Sequence, residues 1–162
     1  MNRHLFLVVE VSDGGSDLDP SLLGKALDLA AEGFETCRLL WSGIEHIRKP
    51  VPFLRKILSR QRKAFKKDVE RFANSVQVTA PGFKKGLIDY CSRNGISLNL
   101  LHPFPVGSGP SDLDELMLRA SKSEAGFAVS YPVHSGNVDA LLTEFMHFNR
   151  LGISVSLPPV RP

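Results

Sequence analysis

Residues 5–11, LFLVVEV, form a near-continuous apolar run that closes on Ser12-Asp13-Gly14-Gly15. A run so short and so rich in Val and Leu reads as a strand buried on both faces. Such a strand occupies the middle of a parallel sheet, with helices lying on both sides of it. The rest of the chain is read outward from that expectation.

After a polar turn, Asp19-Pro20 marks a helix start, with Asp as cap and Pro in the first turn. Leu22, Leu23, Ala26, Leu27, Ala30 and Ala31 recur at helical spacing up to Gly33, and residues 36–42 (TCRLLWS) read as a second strand. Pro50 and Pro52 break the chain, and residues 53–73 read as one long helix. Its stripe is Leu54, Ile57, Leu58, Phe65, Val69 and Phe72, with Gln61 a gap in the middle and Asn74-Ser75 as the stop. Residues 76–79 (VQVT) are a short third strand. Pro81-Gly82 opens a helix lined by Phe83, Leu87, Ile88 and Cys91 and capped by Asn94-Gly95, and residues 96–101 are a fourth strand.

Residues 102–111 (HPFPVGSGPS) form a Pro- and Gly-rich loop whose Ser111 caps a helix reaching to about residue 124. Asp114 and Glu115 suit its first turn. A fifth strand lies within residues 126–133. The turn His134-Ser135-Gly136-Asn137 then leads into a helix with Val138, Leu141, Leu142, Phe145 and Phe148 inward. Residues 153–157 (ISVSL) make a sixth strand, open to antiparallel pairing or to pairing with a second copy, and the Pro-rich residues 158–162 cannot continue a ladder. Six alternations predict an α/β fold: a three-layer, Rossmann-like sandwich around a mostly parallel five- or six-stranded sheet. At 162 residues and 43% hydrophobic content the chain fits a single α/β domain, with residues 158–162 as a tail or a linker to further sequence.

The net charge of +3 hides an asymmetry. Residues 48–67 hold nine Lys or Arg and no acid, so the other 142 residues carry a net −6. Helices normally interleave charges, and cations this close repel one another. Arg55, Lys56, Arg60, Arg62, Lys63, Lys66 and Lys67 therefore form a candidate basic face for an acidic protein surface or a polyanion. No Tyr or Trp accompanies them, so contact with a nucleic acid would be to its backbone and independent of sequence. The same charge would suit an anionic membrane surface.

Ligands of open parallel sheets sit beyond the carboxyl ends of the strands. That rule selects Asp13, His102, Ser108 and His134, with Ser135 adjacent, as candidate ligand-binding residues. Gly107-Ser108-Gly109 lacks the third glycine of a dinucleotide fingerprint, and no GxxxxGK[ST] occurs. Asp13, Asp17 and Asp19 would repel a phosphate. The five histidines show neither HxH nor HExxH spacing, and no GxSxG surrounds Ser135, so no catalytic residue, metal or cofactor is expected. Cys37 and Cys91 sit outside any ligand spacing and read as buried free thiols of a reducing compartment. The apolar run near the start is too short for a signal peptide or a membrane span, and a cytoplasmic location follows.

The pattern VEVSDGG…LLGKALDLAAEGFETCRLLW resembles the opening of a universal stress protein domain. Residues 8–13, 25–31 and 39–41 match, in order, that family's first strand ending in Asp, its ALxxALxLA helix and its next strand. Residues 126–131 and 153–160 are similar to its last two strands, and the basic helix takes the place of its long second helix. The family's ATP signature, G-x2-G-x9-G-[ST], is absent, because only Gly136 lies between Tyr131 and Gly152. The resemblance thus implies a degenerate member without the usual ATP site. It also implies a homodimer formed through residues 153–157. The opening is similar as well to a DsrE-like sulfur-transfer fold, whose reactive loops Cys37 and Cys91 do not occupy, and to a lobe of a sugar-binding regulator. Three readings follow. The first is a non-enzymatic regulatory or interaction domain that engages an acidic partner or self-associates. The second is a small enzyme or nucleotide sensor with its pocket at the strand ends, and the third is a nucleic-acid or anionic-membrane binder acting through the basic helix.

Overall fold

The computed structural model describes residues 3–11, 20–66, 71–102, 112–133 and 137–157. Strands and helices alternate in it as β1 (His4–Glu10), α1 (Pro20–Gly33), β2 (Thr36–Ser42), α2 (Pro50–Ala64), β3 (Phe72–Thr79) and α3 (Lys85–Arg93). They continue as β4 (Ser97–Leu101), α4 (Leu113–Ser121), β5 (Phe127–Ser130), α5 (Leu141–Arg150) and β6 (Ser154–Ser156). The strands form one parallel sheet in the order β1-β2-β3-β4-β5-β6. The fold is therefore the α/β, Rossmann-like class that the alternation predicts. The chain divides into two compact units, Met1–Val76 and Gln77–Pro162.

In the first unit β1 pairs with β2 in parallel, from His4 opposite Thr36 to Glu10 opposite Ser42. α1 and α2 touch. The strand order corrects the expectation for residues 5–11. β1 lies at the edge of the sheet, and its burial alternates: Leu5, Leu7 and Val9 are half-buried, while Phe6 is 63% and Val8 49% exposed. Apolarity of the run alone could not separate a central strand from an edge strand with a bare face.

β2 turns Cys37, Leu39 and Trp41 inward and Arg38 outward. The Trp41 ring meets Phe53 of α2 edge-on at 5.8 Å. After β2, Gly43 adopts φ 74°, and a Cβ there would collide with the carbonyl oxygen of Val11. Only glycine combines that backbone angle with so close an approach.

α2 corrects the long helix expected over residues 53–73. It starts at Pro50, because both prolines fall in its first turn, where no backbone donor is needed. It ends at Ala64, with the Phe65 N–H donating to Gln61 O (2.9 Å) and Lys66 in the left-handed region at φ 53°. Val69 lies outside the described residues. Phe72 belongs to β3, and its ring packs on that of Phe65 at 5.6 Å. Packing of one ring on the other across α2 and β3, not a shared helix face, thus satisfies the apolar spacing of those two residues.

Gln61, the apparent gap in the stripe, is fully buried, and Asn74, the apparent stop signal, lies inside β3. Their amides pair reciprocally: Gln61 Nε2 donates to Asn74 Oδ1 (3.0 Å) and Asn74 Nδ2 to Gln61 Oε1 (2.9 Å). Trp41 Nε1 donates to the same Asn74 Oδ1 (3.0 Å). The three side chains tie β2, α2 and β3 together, and the pairing offsets the cost of burying the amides.

In the second unit β4 pairs with β5 and β5 with β6, all parallel, so the sixth strand joins its own chain's sheet. Phe83 and Phe127 stack at 5.4 Å, and Arg119 of α4 bridges to Asp89 of α3 at 2.7 Å. α4 buries Leu113, Met117 and Ala120.

α5 departs from its expected orientation. Phe148 is buried and Leu141 half-buried, but Leu142 is 70% and Phe145 51% exposed, and Glu144 is buried in Phe145's place. Leu141 and Phe148 keep their expected inward positions, so the inward face is turned toward Glu144 by less than the ~100° of one residue. A 3-10 turn, Val138–Ala140, precedes the helix and leaves Val138 exposed as well.

Candidate functional site

The expected basic face survives in shorter form. α2 buries Leu54, Ile57, Leu58 and Gln61, and this turns Arg55, Lys56, Arg60, Arg62 and Lys63 to solvent, with Lys66 exposed just beyond. Lys67 lies outside the described residues. The helix contains no acid, so neighbouring cations repel by about 0.2–0.5 kcal/mol per pair.

Four of these cations converge. Arg55, Lys56, Arg60 and Lys63 line a groove of about 650 Å³ with Pro52 and Ser59 of α2 and Ser21 of α1. The α2 members recur at intervals of three and four, which is one stripe of the helix. Arg62 is exposed but does not line the groove. Among the described residues no carboxylate lines it either.

Gly24 of α1 explains how one cation is seated. A Cβ at this position would lie 2.6 Å from Cζ of Arg60 and press on Nη1. The guanidinium therefore rests on the α1 backbone in space that any other residue would fill. Glycine inside a helix costs about 1 kcal/mol relative to alanine, and here that cost accompanies a close approach of side chain to backbone.

A second depression of about 550 Å³, at the starts of β1, β2 and β3, is lined by His4, Phe6, Thr36, Arg38 and Arg71 among others. Its polar groups are already engaged in part. Nδ1 of His4 lies 2.7 Å from Thr36 Oγ1, and Arg71 donates to the carbonyls of Ala31, Phe34 and Glu35. It gathers less positive charge than the groove beside α2.

Of the strand-end candidates, Asp13, Ser108, His134 and Ser135 lie outside the described residues. His102 follows β4 and is buried, with its ring edge-on to Phe148 of α5 at 5.5 Å. Its backbone N–H donates to Ser130 O at 3.0 Å. Tyr131 follows β5, is buried, and its hydroxyl has no hydrogen-bond partner among the described residues. Burial, and then the charge of Glu144, push the Tyr131 phenol above its usual pKa. Among the described residues the strand order runs from β1 to β6 without a reversal.

Both cysteines are free and buried, and burial alone raises their thiols, Cys91 to about 12. Neither is a nucleophile at neutral pH. Among the described residues no three His, Cys, Asp or Glu side chains gather as a metal site requires. No helix among them is long and apolar enough to cross a membrane.

Sequence reasoning located the cations but missed Ser21, Gly24 and Ser59. The glycine inside an otherwise regular helical pattern was the one available signal, whereas nothing local marks a serine as lining a groove. No family model matches the chain, and neither does any curated protein or solved structure.

Proposed function

We propose that this protein is a non-enzymatic interaction domain that engages an acidic protein segment through the groove between α1 and α2. The observation that carries the reading is the convergence of Arg55, Lys56, Arg60 and Lys63 on one groove with no carboxylate among its described lining residues. A groove between two helices suits one extended chain better than a broad duplex or a bilayer. Among its described lining residues there is also no aromatic platform on which single-stranded bases stack.

The test is fluorescence polarisation of a labelled oligoglutamate peptide. Binding is expected to weaken steeply as salt rises. Reversing Lys56 and Lys63 to Glu abolishes it. Retention of a homopolymeric RNA or of phosphatidylserine vesicles, with no binding of the peptide, overturns the reading.

A second reading, self-association, has its own observation. Val138, Leu142, Phe145 and Met146 form an exposed apolar face on α5 and the turn before it, and such patches mark interaction surfaces. Sedimentation of Phe145→Glu beside the parent chain tests it: a dimer that persists in the variant does not use this face.

A further inference from the structure

We propose that two copies of this chain pair through the free edge of β1, antiparallel and centred on Leu7. This interface is independent of the groove beside α2 and of the apolar face of α5. β1 ends the sheet, and among the described residues no strand lies beyond it. Val11 N–H donates to Ser42 O (2.9 Å), and Glu35 N–H donates to Arg3 O (2.9 Å), so the backbone of the odd-numbered residues faces β2. The N–H and C=O groups of His4, Phe6, Val8 and Glu10 therefore point outward, because bonding alternates along a parallel ladder. Edge strands are normally guarded by a lysine, a proline, a bulge or shortness. β1 has none of these: HLFLVVE runs for seven residues without Lys or Pro, and its register with β2 is unbroken.

The occupant follows from the strand itself, which is complementary to its own reverse. Turned antiparallel about Leu7, His4 stands opposite Glu10 of the second copy, Leu5 opposite Val9, and Phe6 opposite Val8. Each end then matches an imidazole with a carboxylate. Phe6 and Val8, both exposed in the single chain, make two aromatic-to-β-branched pairs of the kind that stabilises neighbouring strands. The residues whose backbone groups point outward meet one another, so they exchange hydrogen bonds directly.

α1 supplies a second observation. Leu23, Leu27 and Ala30 are buried, and Gly24 turns toward Arg60 of α2. At about 100° per residue, Leu22, Ala26 and Leu29 fall on the flank away from Gly24. All three are exposed, Leu22 at 67% and Leu29 at 68%. α2 packs on β2 and β3 through Phe53 and Gln61, so this flank of α1 lies on the side of the free edge of β1. A two-fold axis normal to the sheet at Leu7 sets the stripe against its counterpart. It removes from water the apolar surface that a single copy exposes, and the contact closes at two copies.

Sedimentation velocity of the intact chain over a concentration series should show a monomer–dimer equilibrium. Val8→Pro removes an N–H that β2 does not use, so each copy loses a donor to the other. It should raise the dimer dissociation constant at least roughly tenfold. Leu29→Glu should weaken the dimer from the side of α1. Glu10→Lys should weaken it several-fold, and adding His4→Glu should restore it, a rescue that loss of structure would not produce. In the parent, hydrogen exchange at the Phe6 and Val8 amides should slow as concentration rises, which decides the matter even where a variant fails to fold. A monomer at every concentration, a dimer indifferent to both Val8→Pro and Leu29→Glu, or one dissolved by Phe145→Glu alone overturns the proposal.

Discussion

α2, of 15 residues, and α5, of 10, are both amphipathic helices, yet they turn opposite chemistry to solvent. α2 buries Leu54, Ile57 and Leu58 and shows cations, whereas α5 buries Glu144 and Phe148 and shows Leu142, Phe145 and Met146. The apolar stripe of α2 is decisive because its other face is so strongly charged that only one orientation avoids burying a cation. α5 has no such constraint. Its apolar residues are spread over an arc of about 160° at 100° per residue, and tertiary contacts choose which of them face inward.

Ways to break that comparison run from large effects to small. The first is Ile57→Ala on α2, which should cost about 2–5 kcal/mol in urea unfolding through the cavity it leaves. A loss below about 1 kcal/mol would mean that α2 does not pack as described. Next comes Asn74→Ala, which strips Gln61 and the Trp41 indole of their shared partner. It should cost about 1–3 kcal/mol, the desolvation penalty of buried groups left unsatisfied.

Raising the pH probes the core beside α3. The unfolded Cys91 thiol ionises near 9.0 and the folded one near 12. The unfolded state therefore loses its proton first, and the contribution to stability is intact below pH 9. It declines between pH 9 and 12 by up to about 1.4 kcal/mol per unit. Cys91→Ala should flatten that slope, and an unchanged slope would assign it to other groups.

On α5, Glu144→Gln removes the negative charge acting on Tyr131. The phenol should then titrate at a lower pH than in the parent, though still above its usual value because burial is the larger cause. Ultraviolet difference spectra read this directly, and no change would place Glu144 away from the ring. The smallest effect belongs to Leu142→Ser, which should leave monomer stability within about 0.5 kcal/mol. A loss the size of that at Ile57 would show that the face is covered in solution.

Legibility from sequence followed the same divide. The helix opening at Pro20, the strand Thr36–Ser42 and the cations of α2 all express local periodicity and stand where they were read. Gln61 and Asn74 were misread because each violates a local pattern: a polar residue in an apolar stripe, and a turn former within a strand. Their reason is each other, thirteen positions apart in sequence. Arg60 was legible as a cation, but its seat on Gly24 depends on two helices meeting.

The chain by itself determined the alternation of strands and helices, the parallel sense of the sheet and the concentration of charge on one helix. Periodicity and crossover length are local properties, and these features rest on them. Tertiary structure alone decided the sequential strand order, the edge position of β1 with Phe6 and Val8 exposed, the rotation of α5 and the groove between α1 and α2. Each of these depends on which elements become neighbours, and burial is shared between neighbours that no single segment specifies.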